Sequence, residues 1–182
     1  HNMAWIRVYN HRNALLRGEA VASLEADISR VSSEAVQSYE ELVGLASFPA
    51  MTPLLRAQNF MLSEDFSSAL SILDEHAKNV RSQGLGRLEP NFNADRTYCL
   101  ARLGQLDNAV EAIESITRSI DESVHVDDLA VLYSRLRDSA MLMGLAALSS
   151  SFNDEAWRNW RAFDELIGKL LGGINSVVHP DR

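Results

Sequence analysis

The sequence predicts an all-α chain of antiparallel helical hairpins, on three observations. All four prolines, Pro49, Pro53, Pro90 and Pro180, fall where the apolar pattern breaks, so none interrupts a helix. The stretches between them are rich in Ala, Leu, Glu and Arg, with apolar residues at helical steps. No alternating run of β-branched and aromatic residues is long enough for a strand. With 182 residues, 46% hydrophobic and 23% charged, the chain fits one ordinary globular unit. A net charge of −8 argues against attraction to phosphate backbones or anionic lipid, so neither direct nucleic-acid binding nor membrane association is expected. No uncharged stretch reaches the roughly 20 residues that span a bilayer.

His1-Asn2, ahead of Met3, reads as a cloning remnant. Met3-Ala4-Trp5-Ile6-Arg7 lacks the apolar core and cleavage site of a secretory leader. Cys99 is the lone cysteine, so a disulfide scaffold is excluded and a cytoplasmic setting is expected. The first helix, residues 4–17, places Ile6, Tyr9, Asn13 and Leu16 on one side, with Trp5 and Leu15 beside it, and Gly18 loosens its end. From Val21 the apolar positions step through Leu24, Ile28, Val31 and Ala35, miss at Ser38, and resume at Leu42 and Leu45. Two readings follow: one long helix over residues 19–46, with a seam for a homodimer partner or for its own domain, or a second helix capped at Ser32-Ser33. Residues 48–53 form a linker, in which Thr52 caps the next helix and Pro53 takes its first position.

Beyond it the chain looks duplicated. Phe60 to Leu73 superposes on Leu100 to Ile113 at an offset of 40 residues. In each unit a large apolar residue closes one helix (Phe60, Leu100), a polar turn follows, and another apolar residue opens the next (Phe66, Leu106). Three residues later comes Ala69 or Ala109, small because a larger Cβ at a close helix crossing would push the backbones apart. Leu73 and Ile113 then cover the junction to the following helix. A third, looser copy is read from Leu148 through Asn153 and Ala156 to Trp160, which sets the second offset at 47.

Leu103-Gly104-Gln105-Leu106-Asp107-Asn108-Ala109, and less closely Glu64-Asp65-Phe66-Ser67-Ser68-Ala69, resemble the tetratricopeptide repeat, in which a Gly-x-Phe/Tyr-x-x-Ala turn joins two antiparallel helices. The resemblance covers roughly residues 52–171, and its offsets depart from the family's usual period of about 34. It implies a right-handed stack of hairpins, about seven helices in all, that presents a groove to a protein or peptide. Residues 1–48 are then N-terminal helices, 52–174 the repeat region and 175–182 a flexible tail, together one continuous domain.

In the third pair a first helix is expected over residues 126–148, with the all-apolar stretch 141–148 at the centre of the molecule. Ser151 and Asp154 then fit a capping box. The final helix is expected to bury Ala156, Trp160, Phe163, Ile167 and Leu170 and to stop at Gly172-Gly173.

Catalytic constellations are absent from the sequence. Gly84-Leu85-Gly86 has no strand before it, His11, His76, His125 and His179 form no pair at ligand spacing, and His125 with Asp127 and Asp128 reads as a helix start. Cys99 reads as a buried inert thiol. No catalytic residue, metal or cofactor is expected. Counting back along the resemblance lines the groove with Leu54, Gln58, Met61 and Leu62 in one unit and Asn91, Ala94, Tyr98 and Arg102 in the next. Gln58, Asn91, Tyr98 and Arg102 are its polar contacts, and Trp157, outside the core stripe of Trp160, is the aromatic expected to be exposed for recognition. The expected function is a non-enzymatic module that binds a protein or peptide. The alternative is a sensing or dimerising part of a bacterial transcriptional regulator, motivated by the seam from Val21 to Leu45.

Overall fold

A computed structural model describes residues 2–41, 51–82, 86–120 and 124–178. These form eight α-helices, α1 (Asn2–Leu16), α2 (Ala22–Glu41), α3 (Met51–Leu62), α4 (Phe66–Ser82), α5 (Glu89–Arg102), α6 (Leu106–Ser119), α7 (Val126–Leu142) and α8 (Ala146–Val178), with one 3-10 turn at Gly86–Leu88. There is no strand among the described residues. The long helix read from Val21 onward is α2, and Ser32-Ser33 lies inside it rather than capping a new helix. Residues 42–50, with Leu42, Leu45 and part of the linker, lie outside the described residues. Helix α3 starts at Met51, so Thr52 and Pro53 sit within its first turn, where proline removes no helical hydrogen bond.

Four tight turns join the helices in pairs, and all four solve the helix end in the same way. The N–H of Glu19, Asp65, Gln105 and Leu145 donates 2.9 Å to the carbonyl of Ala14, Phe60, Leu100 and Ala140 respectively. The residue before each of these donors is left-handed: Gly18 (φ 71°), Glu64 (60°), Gly104 (75°) and Gly144 (73°). This is a Schellman cap, and it satisfies carbonyls that the helix leaves without partners. Glu64, Gly104 and Gly144 stand 40 residues apart in each step.

The third hairpin therefore turns at residues 143–145, seven residues before the place expected from sequence. Several expectations are corrected with it. The offset of 47 becomes 40. Ser151 and Asp154 lie inside α8 and cap nothing. The apolar stretch 141–148 is not central: Met141 is 66% and Leu142 43% exposed, at the tip of the α7–α8 hairpin. Helix α8 runs through Gly172-Gly173 to Val178, and Ile167 and Leu170 are exposed on it. At about 1.5 Å per residue its 33 residues outreach the 17 of α7, so its far half lacks the neighbour that buries the near half.

The positions read as small are closed. Ala69 and Ala109 are fully buried, and in the third hairpin the equivalent Ser149 donates from its hydroxyl to the Arg137 carbonyl at 3.2 Å. Leu54, Ala57, Phe66, Leu73, Phe92 and Cys99 fill the core between α3, α4 and α5. Ala94, Ile113, Ile116, Leu132, Leu136 and Phe152 continue it through α5 to α8.

The N-terminal hairpin does not precede this stack as a separate arm. Helix α2 packs on α3, while α1 packs on α7 and α8, so the hairpin reaches from the first pair to the last. Its buried face also differs from the expected one. Val8, His11, Arg12, Ala14 and Leu16 are inside, Ile6 is exposed, and Asn13 is half-buried. Apolar periodicity found Leu16 and Tyr9, which packs against its cluster, but misplaced the rest of the stripe because two basic side chains, His11 and Arg12, occupy it. Of the seam positions on α2, Ile28 is buried against its own chain, while Leu24 and Val31 are half-buried.

The four caps make a direct prediction. Left-handed backbone costs a residue with a Cβ about 1–2 kcal/mol. Nothing lies within 4 Å of a Cβ built at Gly104 or Gly144, so the cost there is conformational rather than steric. Gly104→Ala and Gly144→Ala should each lower the unfolding free energy by about 1 kcal/mol, and Glu64→Gly should raise it by a similar amount. Urea denaturation reads all three; equal stabilities would show that the left-handed caps are not formed.

Candidate functional site

Register brings chemistry together on the inner face of the first helices. Residues 40 apart occupy equivalent places on α3, α5 and α7: Leu55, Asp95 and Arg135 in one row, Gln58, Tyr98 and Asp138 in the next, Leu62, Arg102 and Leu142 at the turn end. Asp95 on α5 accepts from Arg135 Nε on α7 at 2.7 Å, and from the Gln58 amide of α3 on its other oxygen at 2.5 Å. One carboxylate thus ties the first helices of all three pairs.

Helix α1 adds a second knot. Arg12 donates from Nε to Ser134 Oγ at 2.9 Å and from Nη2 to Asp138 Oδ2 at 2.5 Å. Arg137 forks onto the other Asp138 oxygen from Nε and Nη2 at 2.9 and 2.7 Å. Tyr9 on α1 also donates to Asp128 near the start of α7. Arg12 is only 2% exposed, so its charge survives burial only because these partners surround it.

The electrostatics of the cluster are uneven. Burial pushes the Asp138 carboxyl up, but Arg12 and Arg137 outweigh it and hold the group below the usual carboxylate range. Burial raises Asp95 above that range, against the pull of Arg135 and Arg12. Burial works against Arg135 too, yet Asp95 and Asp138 favour its charge enough to raise its pKa. The two ends of the Asp95–Arg135 contact therefore pull in opposite directions, and the 2.7 Å geometry favours the ionised pair. Arg12 is lowered by burial and then by the neighbouring Arg135. His11, bonded to Glu25 at 3.3 Å, is lowered by burial and then by Arg12.

A cleft of about 540 Å³ opens over this cluster, at the turn end of the inner face and under the N-terminal hairpin. His11, Arg12, Leu15, Glu25 and Ile28 form one wall; Gln58, Met61, Leu62, Tyr98 and Arg102 form the other; Arg135, Arg137, Asp138, Met141 and Leu142 complete it. Tyr98 lies under the Arg135 guanidinium, 4.5 Å from its ring centroid, and edge-on to Phe66. Arg102 stands over Phe66 at 4.3 Å and reaches Tyr98 Oη and Glu64 only at 3.4 and 3.3 Å.

Of the polar residues read from sequence, Gln58, Tyr98 and Arg102 line this cleft. Asn91 does not: it is buried between α5 and α7, with its amide 3.4 Å from the Asp128 carbonyl. Gln58 is buried as well and already bonded within the cluster. Trp157 is half-buried against the Leu16, Ala156 and Trp160 cluster, so it is not the freely exposed aromatic expected. Sequence reading missed His11, Arg12, Arg135, Arg137 and Asp138. Arg135 and Asp138 were within reach, because placing the third turn at Gly144 carries Asp95 and Tyr98 onto them. Cys99 is buried, and burial with the nearby Asp95 charge pushes its thiol up to about 12. It is a protonated core group. No group of His, Cys, Asp and Glu among the described residues is arranged to hold a metal ion, and no described helix is long and apolar enough to cross a membrane.

His11 gives the site a pH signature. Its folded-state pKa lies below the ordinary 6.5, so below about 6.5 the unfolded chain binds a proton that the folded chain resists. Its contribution is complete above that pH and is lost as pH falls toward the folded value. His11→Gln should flatten the stability profile below about pH 6.5, as read by urea midpoints at each pH. A variant profile parallel to that of the unaltered chain would place His11 in solvent.

Compared with known proteins, the chain matches no family model, no curated protein and no solved structure.

Proposed function

We propose that the chain is a non-enzymatic, tetratricopeptide-like hairpin module that binds a protein or peptide segment in the cleft at the turn end of its inner face. The observation that carries this reading is the make-up of that cleft. Exposed apolar side chains, Met141 and Leu142, line the cleft with Tyr98 and Arg102, and Arg102 reaches Tyr98 and Glu64 only by long hydrogen bonds of 3.4 and 3.3 Å. Arginine and tyrosine beside apolar anchors are the side chains that most often dominate binding energy at protein interfaces. The volume, about 540 Å³, lies within the range of about 300–1,000 Å³ typical of ligand sites. The N-terminal hairpin covers the rest of the inner face, so a partner engages this end rather than running the length of the stack.

Selecting peptides from a displayed library against the full chain and titrating the winners by fluorescence polarisation tests the reading. Arg102→Ala and Tyr98→Ala should each weaken binding about tenfold, equivalent to about 1.4 kcal/mol, with the helical circular dichroism unchanged. Glu111→Ala, on the exposed face of α6, should leave it unaltered. A library that yields no binder, or binders indifferent to both cleft substitutions, would overturn the proposal.

A further inference from the structure

The floor of the cleft holds arginine donors that the described side chains leave without an acceptor. Arg12, Arg135 and Arg137 present Nε and Nη2 to Ser134, Asp95, Gln58 and Asp138. The Nη1 amino group of each of the three makes no hydrogen bond to another described residue. None of these Nη1 groups is a sealed, unsatisfied atom either, and all three residues line the cleft. Charge tells the same story: three guanidiniums face two carboxylates, Asp95 and Asp138. The remaining carboxylates of the lining, Glu25 and Glu64, are more exposed, with side chains 45% and 75% accessible. Burial and then the neighbouring Arg135 disfavour the charge on Arg12, an environment that a bound anion would relieve.

We propose that the floor of the cleft is an oxyanion site, where a phosphate or carboxylate group of a small ligand is held by the free Nη1 groups of Arg12, Arg135 and Arg137. Planar guanidiniums match the oxygens of both groups, and a charge-assisted bond in a desolvated site is about twice as strong as a neutral one. Arg102 at the mouth adds a fourth cation within reach of a larger ligand. The inference rests on the same cleft as the partner-binding reading, but does not need the occupant to be a peptide.

Titration calorimetry of the full chain with inorganic phosphate and with acetate, against chloride at equal ionic strength, tests it. One or both anions should bind saturably at millimolar concentration or tighter, and the tighter of the two names the source of the oxyanion. Arg137→Gln should weaken binding at least tenfold. Should that variant fold poorly, the arginine Nε–Hε resonances of the unaltered chain give the same reading: phosphate or acetate should shift those of Arg12, Arg135 and Arg137 and leave those of Arg158 and Arg30 in place. Heat or resonance shifts no larger than those of chloride overturn the oxyanion site, as does undiminished binding by a folded Arg137→Gln. Peptide capture without any anion effect would overturn this inference and leave the partner-binding reading standing. Anion binding without any peptide binder would do the reverse.

Discussion

Asp138 is the residue on which the arrangement turns. Its two oxygens take Arg12 of α1 on one side and Arg137 of α7 on the other, and this contact joins the N-terminal hairpin to the stack of pairs. Without an acceptor there, Arg12 would be a fully buried cation facing another cation, Arg135. Breaking a buried charge pair by removing one partner costs about 3–5 kcal/mol, far more than the net worth of an exposed salt bridge. Leu16 and Tyr9 pack against Trp160 of α8, and the charged knot fixes where along α7 the helix docks.

The same constraint shapes the site. A stack of hairpins leaves an inner face open along its whole length, yet here α2 packs on α3 and α1 on α7 and α8, and among the described residues a cleft opens at the turn end. That end is where the left-handed caps force each chain reversal, so the residues just before them, Leu62, Arg102 and Leu142, gather around one opening. The cleft therefore inherits its chemistry from register. Equivalent positions on three helices differ in side chain, and they bring apolar, aromatic and cationic groups to one opening.

Much of this was legible in sequence, and the failures have physical reasons. Ala69 and Ala109 announced close crossings because few residue types fit there, and Gly104 announced its turn because a glycine stands between Arg102 on one side and Gln105 and Asp107 on the other, breaking the apolar pattern. Gly144 carries the same backbone geometry, but Met141, Leu142, Met143 and Leu145 surround it, and an apolar run reads as a buried helix rather than as an exposed turn. One misplaced turn then displaced the α7 register and hid Arg135 and Asp138. Arg12 was hidden for a different reason. A basic residue in a buried stripe looks like a surface residue until its carboxylate partner, 126 positions away in the chain, is known.

Native-state hydrogen exchange of α1 tests most directly whether the N-terminal hairpin is locked onto the stack. With Arg12 buried against Asp138, the amides of Val8 to Leu16 should exchange only in openings nearly as costly as those that expose Leu132 and Leu136 of α7. Exchange of α1 within seconds, while α5 and α7 stay protected, would contradict a hairpin that spans the inner face.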